Sequence, residues 1–300
     1  MQKISDESIE LENLINLDKD TCLKKLTKAP PSQIWNAFLN NQTRLFFKHE
    51  YKWLHQQVWW QKSKNILEIG SGNGSFLSLL SKKHPEKVFC GVEIRSTYVE
   101  RALALYQGVN LTFQEGNAEV YDQSLAESAD TIIFRATLQY IKNPLKALKH
   151  AAKYLLPAGH LLIIETFDKA HHDTPYMPAV AEAMSLAYMQ NNQKNSNRRV
   201  SYELLKNIKL EENDLSEIYE IVFSNIDINE NIIYETTRFK EVEDRLNYYN
   251  HVLLHLTIFQ RVFGIPVNLD EVHDQLQLYL KNQKGWTRPG VHFLVLKKKE

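Results

Sequence analysis

Asn65-Ile66-Leu67-Glu68-Ile69-Gly70-Ser71-Gly72-Asn73-Gly74-Ser75 is the stretch on which the fold turns. A short apolar run enters three alternating glycines, and Phe76-Leu77-Ser78-Leu79-Leu80 then reads as helix. A turn from strand into helix at the carboxyl edge of a parallel sheet needs residues that tolerate positive φ and let a ligand approach the backbone. Glycine meets both needs. The spacing separates the classes of ligand. A dinucleotide fingerprint, GxGxxG, would put its third glycine where Ser75 stands, whereas here it is Gly74. That disfavours a nicotinamide cofactor without excluding it. A phosphate-binding P-loop would end in GK[ST], which is absent.

Outward from the turn, short apolar runs alternate with helical patterns from Lys64 to Glu165, the pattern of βαβ units in a parallel sheet. The predicted strands are 65–69, 87–93, 111–115, 130–134 and 159–165. Asn143 and Pro144 mark a helix start, and Pro157 with Gly159 is read as stopping that helix near Leu155. Residues 1–60 show no strand pattern but carry Trp35, Phe38, Phe46, Phe47, Tyr51, Trp53, Trp59 and Trp60 on helical stretches. After Glu165 come a polar loop, a helix near 178–190, a strand near 217–227, long helices broken at Gly264 to Pro266, and a last strand over 290–298.

With 43% hydrophobic and 24% charged residues, the 300-residue chain can bury a full core. Lys plus Arg and Asp plus Glu are equal at 36 each, so no long-range positive field draws in a nucleic acid, and none is expected as a partner. The acidic start MQKISDESIELENLI lacks a basic n-region and an apolar h-region. No apolar run approaches the ~20 residues that span a bilayer. A cytoplasmic chain without membrane insertion is expected. Cys22 and Cys90 are far apart and outside any CxxC or Cys/His cluster, so reduced thiols and no metal are expected.

The ordered motifs resemble the class I S-adenosylmethionine-dependent methyltransferases. Their first motif is an acid followed by GxGxG, here Glu68, Gly70, Gly72 and Gly74. The strand Val88-Phe-Cys-Gly-Val-Glu-Ile ends in Glu93 and Ile94, where the resemblance implies a carboxylate on both ribose hydroxyls, a pairing that suits a diol. Gly116-Asn-Ala-Glu resembles the family's GDAE-like segment. Asn117 replaces the usual acid, and its amide oxygen can still accept from an adenine amino group; Ala118 follows it. Asp130 to Tyr140 and Leu155 to Glu165 resemble the fourth and fifth strands, with Arg135 at the end of the fourth. The resemblance covers roughly residues 64–165. It implies S-adenosyl-L-methionine as cofactor and an α/β fold: a Rossmann-like, seven-stranded, mostly parallel sheet sandwiched by helices, with a helical cap. The expected organisation is an N-terminal helical cap segment over 1–60, a cofactor-binding core over 61–166, and a remainder over 167–300. That remainder completes the sheet and carries a helical insertion at about 228–288. Taken singly, Glu68 also reads as a surface acid, Glu93 as a solvated strand end and Asn117 as a turn residue.

The acceptor is narrowed by what is missing. Phe134-Arg-Ala-Thr-Leu-Gln-Tyr140 is not the [DNS]PP[YFW] segment of amino-methylases acting on DNA bases. Cys90 lies in the second strand, away from the place of a cytosine-C5 nucleophile. Arg135 stands where the metal-dependent catechol type and the spermidine synthases have acids. Methyl transfer to a small molecule by in-line displacement is the reading left. A non-catalytic cofactor-binding module and a nicotinamide-dependent oxidoreductase stay as alternatives. Alignment of reactants can supply most of the acceleration, so a catalytic residue is optional. His171 or His172, just past the fifth strand, would serve as base, or is a solvated loop pair. His49 and Tyr51 are weaker candidates, Tyr51 for the substrate. In the family the last strand runs antiparallel, which would bring Lys284-Gly-Trp-Thr-Arg-Pro-Gly290, with Trp286 and Arg288, to the cofactor edge to meet the acceptor. Arg288 or the Arg198–Arg199 pair would hold an anionic group on it, or are surface charges.

Overall fold

The structure, a computed structural model, describes residues 11–166, 171–190, 197–198, 200, 203, 219–222 and 240–298. The chain divides into two units. One comprises Glu50–Ala170, Asn195–Ile233 and Gly290–Glu300 in their described parts; the other comprises those of Met1–His49, His171–Lys194 and Tyr234–Pro289. The first boundary falls inside a helix, between His49 and Glu50. On the sheet side of that boundary the Glu50 carboxylate is bonded to Arg135.

The sheet unit alternates as its sequence pattern dictates. Strands β1 (Asn65–Ile69), β2 (Val88–Glu93), β3 (Leu111–Glu115), β4 (Ala129–Arg135) and β5 (Leu155–Thr166) are parallel to one another, in the order β3-β2-β1-β4-β5. A strand in the centre of a parallel sheet is covered on both faces, which is why Thr131 to Phe134 and Leu161 to Ile164 are buried without alternation. Each such aliphatic side chain stabilises the fold by roughly 1.5–3 kcal/mol relative to exposure. Helix α3 (Val58–Lys62) precedes β1, and crossover helices α4 (Ser75–Lys83), α5 (Ser96–Tyr106) and α6 (Pro144–Tyr154) connect the strands. Helix α6 starts as expected: Asn143 Oδ1 accepts from the Lys146 amide at 3.0 Å, and Pro144 occupies the first turn. It ends at Tyr154, near Leu155 as expected, but the strand follows at once. Pro157 and Gly159 do not separate helix from strand; β5 begins at Leu155, and the register shift between Ala129 and Thr131 on β4, with Ala158 at φ +59°, absorbs them as a bulge.

Beyond β5 the sheet closes with β9 (Val291–Lys298), antiparallel as expected, Val291 standing opposite Thr166. Outside it lies β7 (Tyr219–Val222), antiparallel to β9. Six strands therefore form the body of the sheet rather than seven, the outermost place holding only this four-residue edge segment; the rest of the 217–227 stretch lies outside the described residues.

The helical unit contains α1 (Lys19–Lys28), most of α2 (Pro31–His55), α7 (Pro178–Gln190), α8 (Val242–Arg261) and α9 (Leu269–Lys281). Helix α8 ends just before Gly264, which at φ +67° makes the turn toward Pro266. The Arg245 guanidinium donates to the Leu280 carbonyl in the last turn of α9 at 3.0 Å and to that of Asn282, just past it, at 2.7 Å, satisfying groups a helix end leaves open. This unit also holds a two-stranded sheet the sequence pattern did not reveal, β6 (His172–Thr174) against β8 (Trp286–Arg288). Among the described residues no helix is long and apolar enough to cross a membrane.

Candidate functional site

The three motif glycines all have positive φ: +75° at Gly70, +55° at Gly72 and +78° at Gly74. Gly70 is also closed to any side chain, because a Cβ there would stand 2.2 Å from Thr137 Cγ2. At Gly74 it would stand 2.7 Å from the Phe113 ring. The turn is fastened to the neighbouring strand. The Gly70 and Ser71 amides donate to the Val92 carbonyl at 2.7 and 3.1 Å, and the Gly72 amide donates to Glu93 Oε2 at 3.0 Å. Glu93 Oε1 accepts from the Arg95 amide at 3.0 Å. A carboxylate at the end of β2 is thereby set against the glycine turn at the end of β1, the strand-end crevice where open α/β sheets bind ligands.

Below the turn lies a group of buried charges. Glu68 is 2% exposed, and its Oε2 has no hydrogen-bond partner among the described residues. Burial pushes its carboxyl up to about 8, with Arg135 opposing the rise and Glu50 and Glu93 adding to it. Arg135, at the end of β4, donates through Nε to both oxygens of Glu50 at 3.0 and 2.9 Å, and its guanidinium lies 4.6 Å from the Phe76 ring centre. Burial also raises the Glu50 carboxyl, against the pull of Arg135. Arg135 thus acts on both Glu50 and Glu68 beside the glycine turn, and Glu50 and Glu93 add negative charge around Glu68.

The other predicted cofactor residues follow at successive strand ends. Ile94 is exposed, directly after Glu93. The Gly116 amide donates to the Glu93 carbonyl at 2.9 Å, placing Asn117 and Ala118 after β3 at the same edge. Asn117 is exposed, and its Oδ1 accepts from the Glu119 amide at 2.9 Å, an Asx turn. Its side-chain oxygen has a second lone pair to offer.

The candidates for acceptor and proton chemistry are distributed differently. Within the helical unit His171 Nε2 is 2.9 Å from Asp173 Oδ2 and 3.1 Å from the Tyr248 hydroxyl, so the ring is oriented. Asp173 is buried, and its Oδ1 accepts from the Tyr248 hydroxyl at 2.8 Å and from that of Thr287. Burial works to raise this carboxyl but is outweighed by His171, Thr287 and Tyr248, which hold it below the usual range. His172 is exposed and stacks on Trp286 at 5.2 Å, while Arg288 pairs with His172 across β6 and β8. Trp286 and Arg288 are therefore strand residues rather than loop residues. Arg198, in the sheet unit, is 4% exposed and acts electrostatically on Glu165, so it is not a surface charge; Arg199 lies outside the described residues. Tyr51 stacks on His55 at 5.6 Å and lies near His84, which precedes β2, so it stands toward the opposite sheet edge from the glycine turn.

Sequence reasoning missed Glu50, Thr137 and Glu165. Nothing in the sequence marks Glu50, which meets Arg135 across 85 positions. Thr137 and Glu165 had a signal: both sit at the end of a strand, and Glu165 closes an apolar run as Glu68 and Glu93 nearly do.

A family model described as a methyltransferase domain matches residues 44–209. Among relatives, the ubiquinone biosynthesis O-methyltransferase of Aliivibrio fischeri is 26% identical over 98 residues, covering 33% of this chain and 42% of that protein. The malonyl-[acyl-carrier protein] O-methyltransferase of Priestia megaterium is 33% identical over 110 residues, covering 35% and 39%. The tRNA (guanine-N(7)-)-methyltransferase of Thermotoga maritima is 40% identical over 55 residues, covering 18% of each. The chain thus spans less than half the length of these relatives, and their acceptors differ. Because the family model takes in more than half of the sequence, the chain belongs to the methyltransferase-domain family.

Proposed function

We propose that the sheet unit binds S-adenosyl-L-methionine and that the protein transfers its methyl group to a small-molecule acceptor. The observation that carries the cofactor assignment is the buried Glu68 carboxyl beside the glycine turn, whose Oε2 has no hydrogen-bond partner among the described residues and which Glu50 and Glu93 crowd with negative charge. Such a site favours a cationic ligand, because opposite charge lowers the cost of ionising a buried carboxyl. A dinucleotide diphosphate would bring two negative charges to the same carboxylates, so charge and glycine spacing agree against it. The residues fit the cofactor: Gly70 to Gly74 let it approach the backbone, Glu93 serves the ribose diol, Glu68 faces the charged methionine end, and Asn117 with Ala118 and Ile94 flank the adenine. When bound, this cofactor supplies a methyl group on a positively charged sulfur. The protein's part is to hold the two reactants in line, an entropic contribution that needs no dedicated catalytic side chain. Where the acceptor must lose a proton a base is needed, and within the helical unit Asp173 and Tyr248 fix the His171 ring, which makes it a candidate for that role.

Calorimetric titration with S-adenosylmethionine, S-adenosylhomocysteine and NAD, on wild type and Glu93→Ala, tests the reading. Binding of both sulfur compounds is expected, weakened about a hundredfold or more in the variant, given roughly 1.5–3 kcal/mol for each hydrogen bond to a charged group. Binding of NAD with neither sulfur compound would overturn it. Production of S-adenosylhomocysteine in an acceptor screen separates an enzyme from a binding module.

A further inference from the structure

The carboxylate of Glu165 lies at the end of β5, 1% exposed, and the proposed chemistry gives it no task. Its Oε1 accepts from the amides of Thr137 at 2.8 Å and Leu138 at 2.6 Å, and its Oε2 from the Gln139 side chain at 3.4 Å. These donors belong to the loop leaving β4, where Ala136 adopts φ +50°, a conformation a non-glycine residue keeps only when its surroundings enforce it. The Ala136 amide is held on the Ile164 carbonyl at 2.7 Å. The Thr137 hydroxyl in turn shares its proton between the carbonyls of Arg135 at 3.0 Å and Gly70 at 3.2 Å. The Thr137 methyl fills the space where Gly70 has no side chain. A line of hydrogen bonds therefore runs from Glu165 through Thr137 to Gly70, and from Gly70 and Gly72 to Val92 and Glu93.

We propose that Glu165 is a positioning residue for the glycine turn: its carboxylate holds the loop after β4 so that Thr137 grips Gly70, and loss of its negative charge loosens the turn and weakens cofactor binding. The inference rests on the cofactor reading above. Amide bonds to an ionised carboxylate are roughly twice as strong as those to a neutral acceptor, so the grip depends on charge. Burial raises the Glu165 carboxyl to about 7, with the amides of Leu138, Thr137 and Gln139 and the charge of Arg198 opposing the rise. The charge therefore changes across the neutral range. Of the groups set against it, Arg198 is a permanent cation. His292, directly opposite on β9, is pushed down to about 4 by burial and stays neutral there.

Two measurements on the whole protein test this: S-adenosylhomocysteine affinity by calorimetry from pH 5.5 to 8.5, and amide hydrogen exchange of Gly70 to Gly72 without ligand, corrected for intrinsic rates. Wild type, Glu165→Gln, Thr137→Val and Thr137→Ser are compared. At pH 8.5 we expect Glu165→Gln and Thr137→Val to bind about tenfold more weakly than wild type and to exchange faster at the turn, with Thr137→Ser close to wild type. On acidification the wild type should converge on Glu165→Gln. Curves of affinity against pH that run parallel for these two proteins, or a Thr137→Val variant indistinguishable from wild type, would overturn the proposal. If wild type binds neither sulfur compound, the cofactor reading fails by itself, and exchange alone decides the tether: unchanged protection of Gly70 to Gly72 in both weakened variants would refute it.

Discussion

Glu68 in the sheet unit and Asp173 in the helical unit are both buried carboxyl groups, yet burial leads to opposite results. Asp173 has the His171 ring, the Tyr248 hydroxyl and the Thr287 hydroxyl on its two oxygens, and it is held below the usual carboxylate range despite being buried. Glu68 has a buried oxygen with no partner among the described residues, and it rises to about 8. Desolvation acts on both; the donors around each decide the outcome. The Asp173 site is satisfied by its own chain. The Glu68 site is left incomplete, and an incomplete buried polar site points to a ligand.

The largest effect that would break this contrast comes from removing the single cation of the sheet cluster. Arg135→Met should cost roughly 3–5 kcal/mol in chemical denaturation, because Glu50 is left buried and unpaired, whereas the double variant Glu50→Met, Arg135→Met should recover most of it. An unrecovered loss would mean that packing rather than charge sets the cluster. Next, Asp173→Asn should cost about 2–3 kcal/mol, since it weakens three hydrogen bonds to a buried acceptor, and wild-type stability from this group should fall on acidification. That sign follows from a lowered carboxyl: its contribution is present above the unfolded value and lost as pH drops through the folded one. Glu68 carries the reverse sign. Its raised carboxyl favours the folded state least at high pH, so wild type should lose stability relative to Glu68→Gln as pH rises from about 4.5 to about 8, then run level with it at a constant offset. Denaturation of wild type against Asp173→Asn from about pH 5 down to about pH 2.5, and against Glu68→Gln from about pH 5 up to about pH 9, checks the two, and slopes of the same sign would remove the distinction. The smallest effect is expected at Asn117→Asp: the Asx turn needs only one side-chain oxygen, so cofactor affinity measured by calorimetry should change by no more than about threefold.

What the sequence revealed depended on how local the physics is. The strand-to-helix turn at Gly70 to Gly74 was legible because positive φ and close approach demand glycine at those positions, whereas Glu68 and Glu93 were singled out only through the family resemblance. The helix end near Leu155 was legible, but Pro157 and Gly159 concealed that β5 begins at Leu155 rather than near residue 159, since a bulge interrupts a regular pattern as a boundary does. The small sheet of β6 and β8 was hidden because strands of three residues are too short to show a period. The Glu50 to Arg135 pair and the Tyr248 to Asp173 bond join positions 85 and 75 residues apart, and one sequence carries no mark of such partners. His171 looked like one of two loop histidines for the same reason: the residue that fixes its ring beyond its own loop is on α8.

The insertion of β9 between β5 and β7 has a consequence for synthesis. Residues Leu161 to Glu165 emerge with one edge of their strand open, and the segment that pairs with that edge, beginning at Val291, is made about 125 residues later. Until then a nascent chain carries an apolar strand with free amides and carbonyls, a template for pairing with its neighbours on the same messenger. Ribosome-bound chains stopped before residue 291 should accordingly need chaperone shielding that full-length chains do not.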